Sequence, residues 1–173
     1  MPQLERNDDV FVLDLGDTEN RINPSWSAEV PGLLERVDVA SVLSRILTLP
    51  VPTVAAIGGH AYAAGGLLAL AHDYRFFCLP EIDLRLAFSA GMSALVEAKV
   101  TPAAARDLMI TGRRYGGPDA EAAAIVDAAV PSDEVIPRAL AMASTLAPKA
   151  DPVMGKIKVG MYRDVYRALR HES

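Results

Sequence analysis

Two stretches of the chain hold residue types that could act together on a carbonyl compound. From Gly58 the chain reads Gly-Gly-His-Ala-Tyr-Ala-Ala-Gly-Gly-Leu-Leu-Ala-Leu-Ala-His, ending before Asp73. Ala63, Ala64, Gly65 and Gly66 open what reads as a buried helix. Small side chains let a ligand come close to the backbone. The first N–H groups of a helix lack internal partners and carry partial positive charge. Together they suit a carbonyl oxygen that becomes an oxyanion. The same small residues would equally serve tight packing of the helix on a sheet, so both readings stand on composition alone. Glu81 lies between Cys78-Leu79-Pro80 and Ile82-Asp83-Leu84, an apolar neighbourhood. Burial raises a carboxyl pKa and makes it a usable general base near neutral pH. The alternative is an ordinary exposed loop carboxylate. Asp83, two residues on, reads as a surface or supporting residue.

Other constellations are weaker. His60, His72 and His171 lack metal-ligand spacing and no second ligand type clusters with them, so no metal site is expected. There is no Gly-x-Ser-x-Gly elbow and no phosphate-binding glycine loop after a strand. The single cysteine, Cys78, excludes a disulfide framework and reads as a small buried hydrophobe. Arg113-Arg114, Lys149, Lys156 and Lys158 could each meet a phosphate, but read as solvated helix faces or helix-end charges.

The elements must fit in 173 residues and 18.5 kDa, about one domain. Apolar residues at 51% and charged residues at 23% exclude wholesale disorder. Lys and Arg total 17 against 22 Asp and Glu, a net charge of -5 without a basic stripe, so no nucleic-acid partner is expected. No apolar run reaches about 18 residues, which argues against a membrane span. The N-terminus lacks the basic and apolar regions of a secretory signal, and a reduced, cytoplasmic compartment is expected.

Val10–Leu15 reads as a buried strand. Asn23-Pro24 opens a helix toward Val37, and Ser41–Leu47 is a second helical piece stopped by Pro50 and Pro52. Thr53–Ile57 is a short apolar strand, and Ala61–Ala71 a helix apolar on every face. Helices follow over Ala90–Val100, from Thr101-Pro102 to Thr111-Gly112, from Pro118, from Ser132 to Pro148, and from Asp151-Pro152 onward. A strand is expected over Ile125–Val130. This is an α/β pattern, although some four strands are few for the helices that must cover the sheet.

The run Val51–Arg75 resembles the first signature of the crotonase superfamily, the enoyl-CoA hydratases and isomerases. Leu79–Leu84 resembles its second signature, and Thr111-Gly112-Arg113-Arg114 with Ala120–Val130 its third. The resemblance implies a crotonase-like spiral of β-β-α units over residues 1–112. A helical C-terminal region over residues 113–173 would support a homotrimer or hexamer. It implies an acyl-CoA thioester substrate, with coenzyme A part of that substrate and no separate cofactor. The second oxyanion donor falls on the backbone N–H of Ala64, where many members have Gly. Ala63, Gly65, Leu67 and Phe88 are assigned to the substrate pocket.

Hydratases of the family use two glutamates. The first position falls on Leu67, which cannot do acid–base work, and the second on Glu81. A lone glutamate at the second position resembles the Δ3,Δ2-enoyl-CoA isomerases, where one carboxylate takes a proton from C2 and returns one at C4. A single-glutamate hydratase and a non-catalytic acyl-CoA-binding module are the alternatives. The chain also departs from the family at two places. Between Ala40 and Ser41 a strand and the loop carrying the first oxyanion N–H are absent, and between Arg75 and Phe76 a short hairpin connection. The sequence is therefore expected to join pieces of a longer chain, with the other oxyanion donor lying outside it. A true deletion would favour the binding module.

Overall fold

The computed structural model describes residues 3–14, 39–58, 61, 64–71 and 87–171. At the N-terminus β1 (Gln3–Asn7) and β2 (Val10–Asp14) form an antiparallel hairpin with Asn7 opposite Val10 and Gln3 opposite Asp14. Asp8 in the two-residue turn takes a left-handed φ of 52°, which short polar side chains tolerate. The Arg6 Nε–H donates to the Asp8 carbonyl at 2.7 Å. β2 matches the expected strand but is not buried. Side chains alternate across a strand, and Phe11 and Leu13 are 67% and 62% exposed while Val10 and Val12 are half-buried. β1 was not expected, because Glu5 and Arg6 interrupt any apolar alternation.

Helices make up most of the described chain. They are α1 (Val39–Leu47), α2 (Ala64–Ala71), α3 (Ala90–Lys99), α4 (Pro102–Thr111), α5 (Gly117–Ala122), α6 (Val135–Leu146), α7 (Pro152–Met161) and α8 (Arg163–His171). Local sequence sets their ends. Ser89 Oγ accepts the Met92 N–H and Thr101 Oγ1 the Ala104 N–H, so α3 and α4 start where their caps predict. α4 closes on Gly112 at φ 62°, a left-handed stop that glycine adopts without strain. Asp151 Oδ1 accepts the Val153 N–H at 2.7 Å and opens α7.

Several expectations are corrected. The Ile125–Val130 segment is not a strand. Ala124 turns left-handed at φ 54°, and the Ile125 and Val126 N–H groups both reach back to the Ala120 carbonyl instead of a neighbouring strand. Among the described residues Thr53–Ile57 shows an isolated bridge at Val54. α6 begins at Val135, since the Glu134 N–H is taken by the Pro131 carbonyl in a turn after Ser132. The last helix is two, divided at Tyr162, whose φ of -107° leaves the helical range. The Asn23–Val37 helix lies outside the described residues. The Ala40–Ser41 position falls within α1, and the Arg75–Phe76 position lies outside the described residues.

The core gathers Leu43 and Leu47 of α1, Leu67 and Leu70 of α2, Leu95 and Val96 of α3, and Val165 and Leu169 of α8. α8 packs on both α1 and α3. It approaches α3 so closely that a Cβ at Gly91 would stand 2.9 Å from the Leu169 Cα. The C-terminal helix is thus part of the same core as α2. No helix among the described residues is long and apolar enough to cross a membrane.

Candidate active site

α2 is the centre of the candidate site. Its sequence is apolar on every face, and it is enclosed accordingly between α1 and α3. Gly66, Leu67, Ala69, Leu70 and Ala71 are buried, and Gly65 and Leu68 are half-buried. This burial fixes the helix while leaving its first backbone donors free of intrahelical partners. Ala64 is the first residue of α2, three residues later than the Ala61 start read from the sequence. The first amides of a helix have no carbonyl one turn back to bond, and Ala64, Gly65 and Gly66 open the described part of α2. An added Cβ at Gly65 would meet nothing within 4 Å, so the backbone there is open to approach. The helix dipole places partial positive charge at the same end. The arrangement can hold a carbonyl oxygen as negative charge develops on it.

The other assigned residues fall as follows. Leu67 is 1% exposed and belongs to the core, one turn into α2. Phe88 is half-buried against that same core, immediately before Ser89, the cap of α3. Ala63 and Glu81 lie outside the described residues, as do Asp83, Cys78, His60 and His72. The structure thus brings Leu67 and Phe88 into one apolar cluster with the opening of α2 above it in sequence.

Two polar features were missed or misread in the sequence. Lys158 is not a solvated helix-face lysine. It is 6% exposed, and its Nζ donates to the Val51 carbonyl at 2.7 Å. Lys149, Lys156, Arg113 and Arg114 are exposed as expected. The second feature surrounds Asp107 on α4. Arg106 holds Asp107 Oδ1 at 3.0 Å, the Tyr115 hydroxyl donates to Oδ2 at 3.3 Å, and Arg113 lies 3.8 Å from Oδ2. The Arg113 guanidinium also stands 4.6 Å from the Tyr115 ring centre. Burial pushes the Tyr115 phenol above its ordinary pKa of 10.0. Arg113 opposes that rise, and the Asp107 carboxylate adds to it. Asp107, Arg113 and Tyr115 border an open cleft of about 330 Å3 between α4 and α5. The spacing Asp107-x5-Arg113-x-Tyr115 across the Gly112 stop was the available signal.

The profile of the enoyl-CoA hydratase/isomerase family matches residues 32–173. The chain belongs to this family. Among its relatives, the peroxisomal enoyl-CoA delta isomerase 2 of Arabidopsis thaliana is 30% identical over 232 aligned positions, covering 100% of this chain and 97% of the relative. That alignment is much longer than the 173 residues of this family member, so the relative carries several dozen residues without a counterpart here. A probable enoyl-CoA hydratase of Mycobacterium bovis is 31% identical over only 116 residues, covering 64% of this chain and 45% of the hydratase. In three dimensions, the crystal structure of an enoyl-CoA hydratase from Mycobacterium marinum superposes with a TM-score of 0.84 at 17% identity, covering 98% of this chain and 95% of the other. The crotonase-like α/β fold expected from the sequence is therefore the fold of this chain.

Proposed function

We propose that this family member is a Δ3,Δ2-enoyl-CoA isomerase, converting a 3-enoyl-CoA to the 2-trans-enoyl-CoA. The observation that carries this reading is the span of the likeness. In sequence, a delta isomerase aligns over 100% of this chain and 97% of its own, whereas the Mycobacterium bovis hydratase aligns over 45% of its own length. Leu67 supports it from the structure. The position that would supply a hydratase's first glutamate, by the family resemblance, is an apolar side chain sealed in the core.

The chemistry needs one carboxylate. Glu81 takes a proton from C2, the C–H electron pair becomes the C1–C2 double bond of a dienolate, and the carbonyl pair moves onto the thioester oxygen. The backbone N–H of Ala64 at the head of α2 donates to that oxygen. On protonation at C4 by Glu81, the oxygen pair re-forms the carbonyl and the C1–C2 pair becomes the new C2–C3 double bond. One C–H bond breaks, one forms, and no redox partner is required. Loss of one oxyanion donor typically costs about 3–4 kcal/mol, so a second donor from another segment completes the site. Gly65 and Ala63 border the thioester, Phe88 belongs to the apolar side facing the acyl chain, and Leu67 backs that side from within the core. The substrate partner is an acyl-CoA thioester, and the assembly a homotrimer or hexamer.

The test is steady-state conversion of a 3-enoyl-CoA, followed by the absorbance of the conjugated product, beside hydration of a 2-enoyl-CoA. Isomerisation well above hydration is expected. Predominant hydration would replace this reading with a single-glutamate hydratase. Binding of acyl-CoA without turnover would replace it with a binding module.

A further inference from the structure

Lys158 carries a charge into a nearly closed environment, 107 residues away in sequence from the carbonyl it bonds. A buried ammonium is costly unless paired or hydrogen-bonded, so its position calls for a physical account. Lys158 does not act alone. Three positions on one face of α7 and its cap meet the same corner of the chain. The Asp151 N–H donates to the Pro50 carbonyl at 3.1 Å. Gly155 lies against Pro50, where an added Cβ would stand 3.2 Å from the Pro50 Cβ. Lys158 Nζ holds the Val51 carbonyl at 2.7 Å. Spacings of four and three residues put all three on one helical face.

The corner they grip is where α1 gives way to the segment that leads to α2. α1 ends at Leu47, and the Thr48 and Leu49 N–H groups close its last turn on the Arg45 and Ile46 carbonyls. After Val51 the chain runs through Thr53–Ile57 toward Ala64. Pro50 and Pro52 have no N–H, so this corner offers carbonyls and few donors for its own fixation. A donor must come from elsewhere, and α7 supplies two.

We infer that this face of α7 is a backbone clamp and that Lys158 is a positioning residue for the amide donors at the head of α2. α2 has α1 packed along it, and Ala55 and Ile57 of the segment that follows the corner pack against the core that holds α2. The clamp fixes the point where those two supports meet. Misplacement of reacting groups by about 1 Å can cost about a hundredfold in rate, so a small shift of this corner would be felt as lost oxyanion stabilisation. This inference rests on the isomerase reading for its kinetic consequence and on the contacts alone for its structural one.

The experiment compares Lys158→Met with Lys156→Met, an exposed lysine of the same helix, in two measurements. Kinetically, Lys158→Met is expected to lower kcat about tenfold with KM changed less than about twofold, and Lys158→Arg to recover part of the loss. Unchanged kcat per folded molecule, with only the melting temperature lowered, would reduce Lys158 to a structural role and overturn the inference. Amide hydrogen exchange needs no activity. Exchange at Leu68–Ala71 is expected to quicken in Lys158→Met and not in Lys156→Met, and equal exchange in the two would overturn the clamp. If the wild-type chain shows no isomerase turnover, the functional reading falls while exchange still judges the clamp. If Lys158→Met does not fold, Gly155→Ala disturbs the same corner with Lys158 in place. It is expected to show the same exchange increase, and its absence overturns the inference.

Discussion

At the scale of single residues, the proposed chemistry concentrates on one carboxylate and one amide. Ala64 keeps a backbone donor whatever its side chain, so in the proposed reaction the methyl there adds bulk and leaves the donor in place. Glu81 has no such redundancy. Glu81→Gln keeps shape and removes the base, and general acid–base contributions run to about a thousandfold. The expected outcome is a loss of kcat of about that size with an unchanged circular dichroism spectrum. Retained turnover would remove Glu81 from the mechanism. Tyr115 gives a separate pH prediction. Its phenol is raised above 10.0, chiefly by burial, so the folded chain holds the proton after the unfolded chain has released it. Its contribution to stability is present in full below pH 10.0 and is lost as pH rises through that value toward the folded pKa. Urea midpoints should therefore fall above pH 10.0 more steeply in the wild type than in Tyr115→Phe. Parallel curves would show that Tyr115 titrates alike in both states.

At the scale of elements, close approach between α3 and α8 sets the most sensitive contact. A Cβ on Gly91 would stand 2.9 Å from the backbone Cα and N of Leu169 as well as from its Cδ2, and the two backbone atoms cannot swing away. Gly91→Ala must therefore displace α8, and overpacking of this kind costs about 1–3 kcal/mol. Urea denaturation should show that loss, whereas Gly65→Ala, with no atom within 4 Å of the new methyl, should keep the folding midpoint near wild type. These elements differ in how far the sequence disclosed them. Ser89, Thr101, Asp151 and Gly112 are local signals, and the ends of α3, α4 and α7 follow from them. Ile125–Val130 misled because its apolar run fits a strand and a buried turn equally, and only the left-handed Ala124 decides. Lys158 misled for a different reason. Its partner is 107 residues distant, and no window of sequence contains both. The small-residue opening of α2 was legible as an oxyanion candidate. Its enclosure between α1 and α3 was not, because that depends on which helices meet.

At the scale of the whole molecule, α7 turns two faces to two tasks. One face grips Pro50 and Val51. The other carries Val153, Ile157 and Met161 at four-residue intervals, 56%, 56% and 68% exposed. Apolar residues at this spacing form one stripe on a helix, and a contiguous exposed apolar stripe suits a contact surface. A closed assembly of identical copies repeats one such contact around its symmetry axis, and the net charge of -5 is modest opposition to it. The homotrimer or hexamer proposed above would bury this stripe. Sedimentation equilibrium of the wild type should then give three or six times 18.5 kDa. Ile157→Lys puts a charge at the centre of the stripe, away from the clamp face, so it should leave a folded monomer with an unchanged far-ultraviolet spectrum. A monomeric wild type, or an Ile157→Lys variant that assembles as the wild type does, would mean that this face of α7 is not where the copies meet.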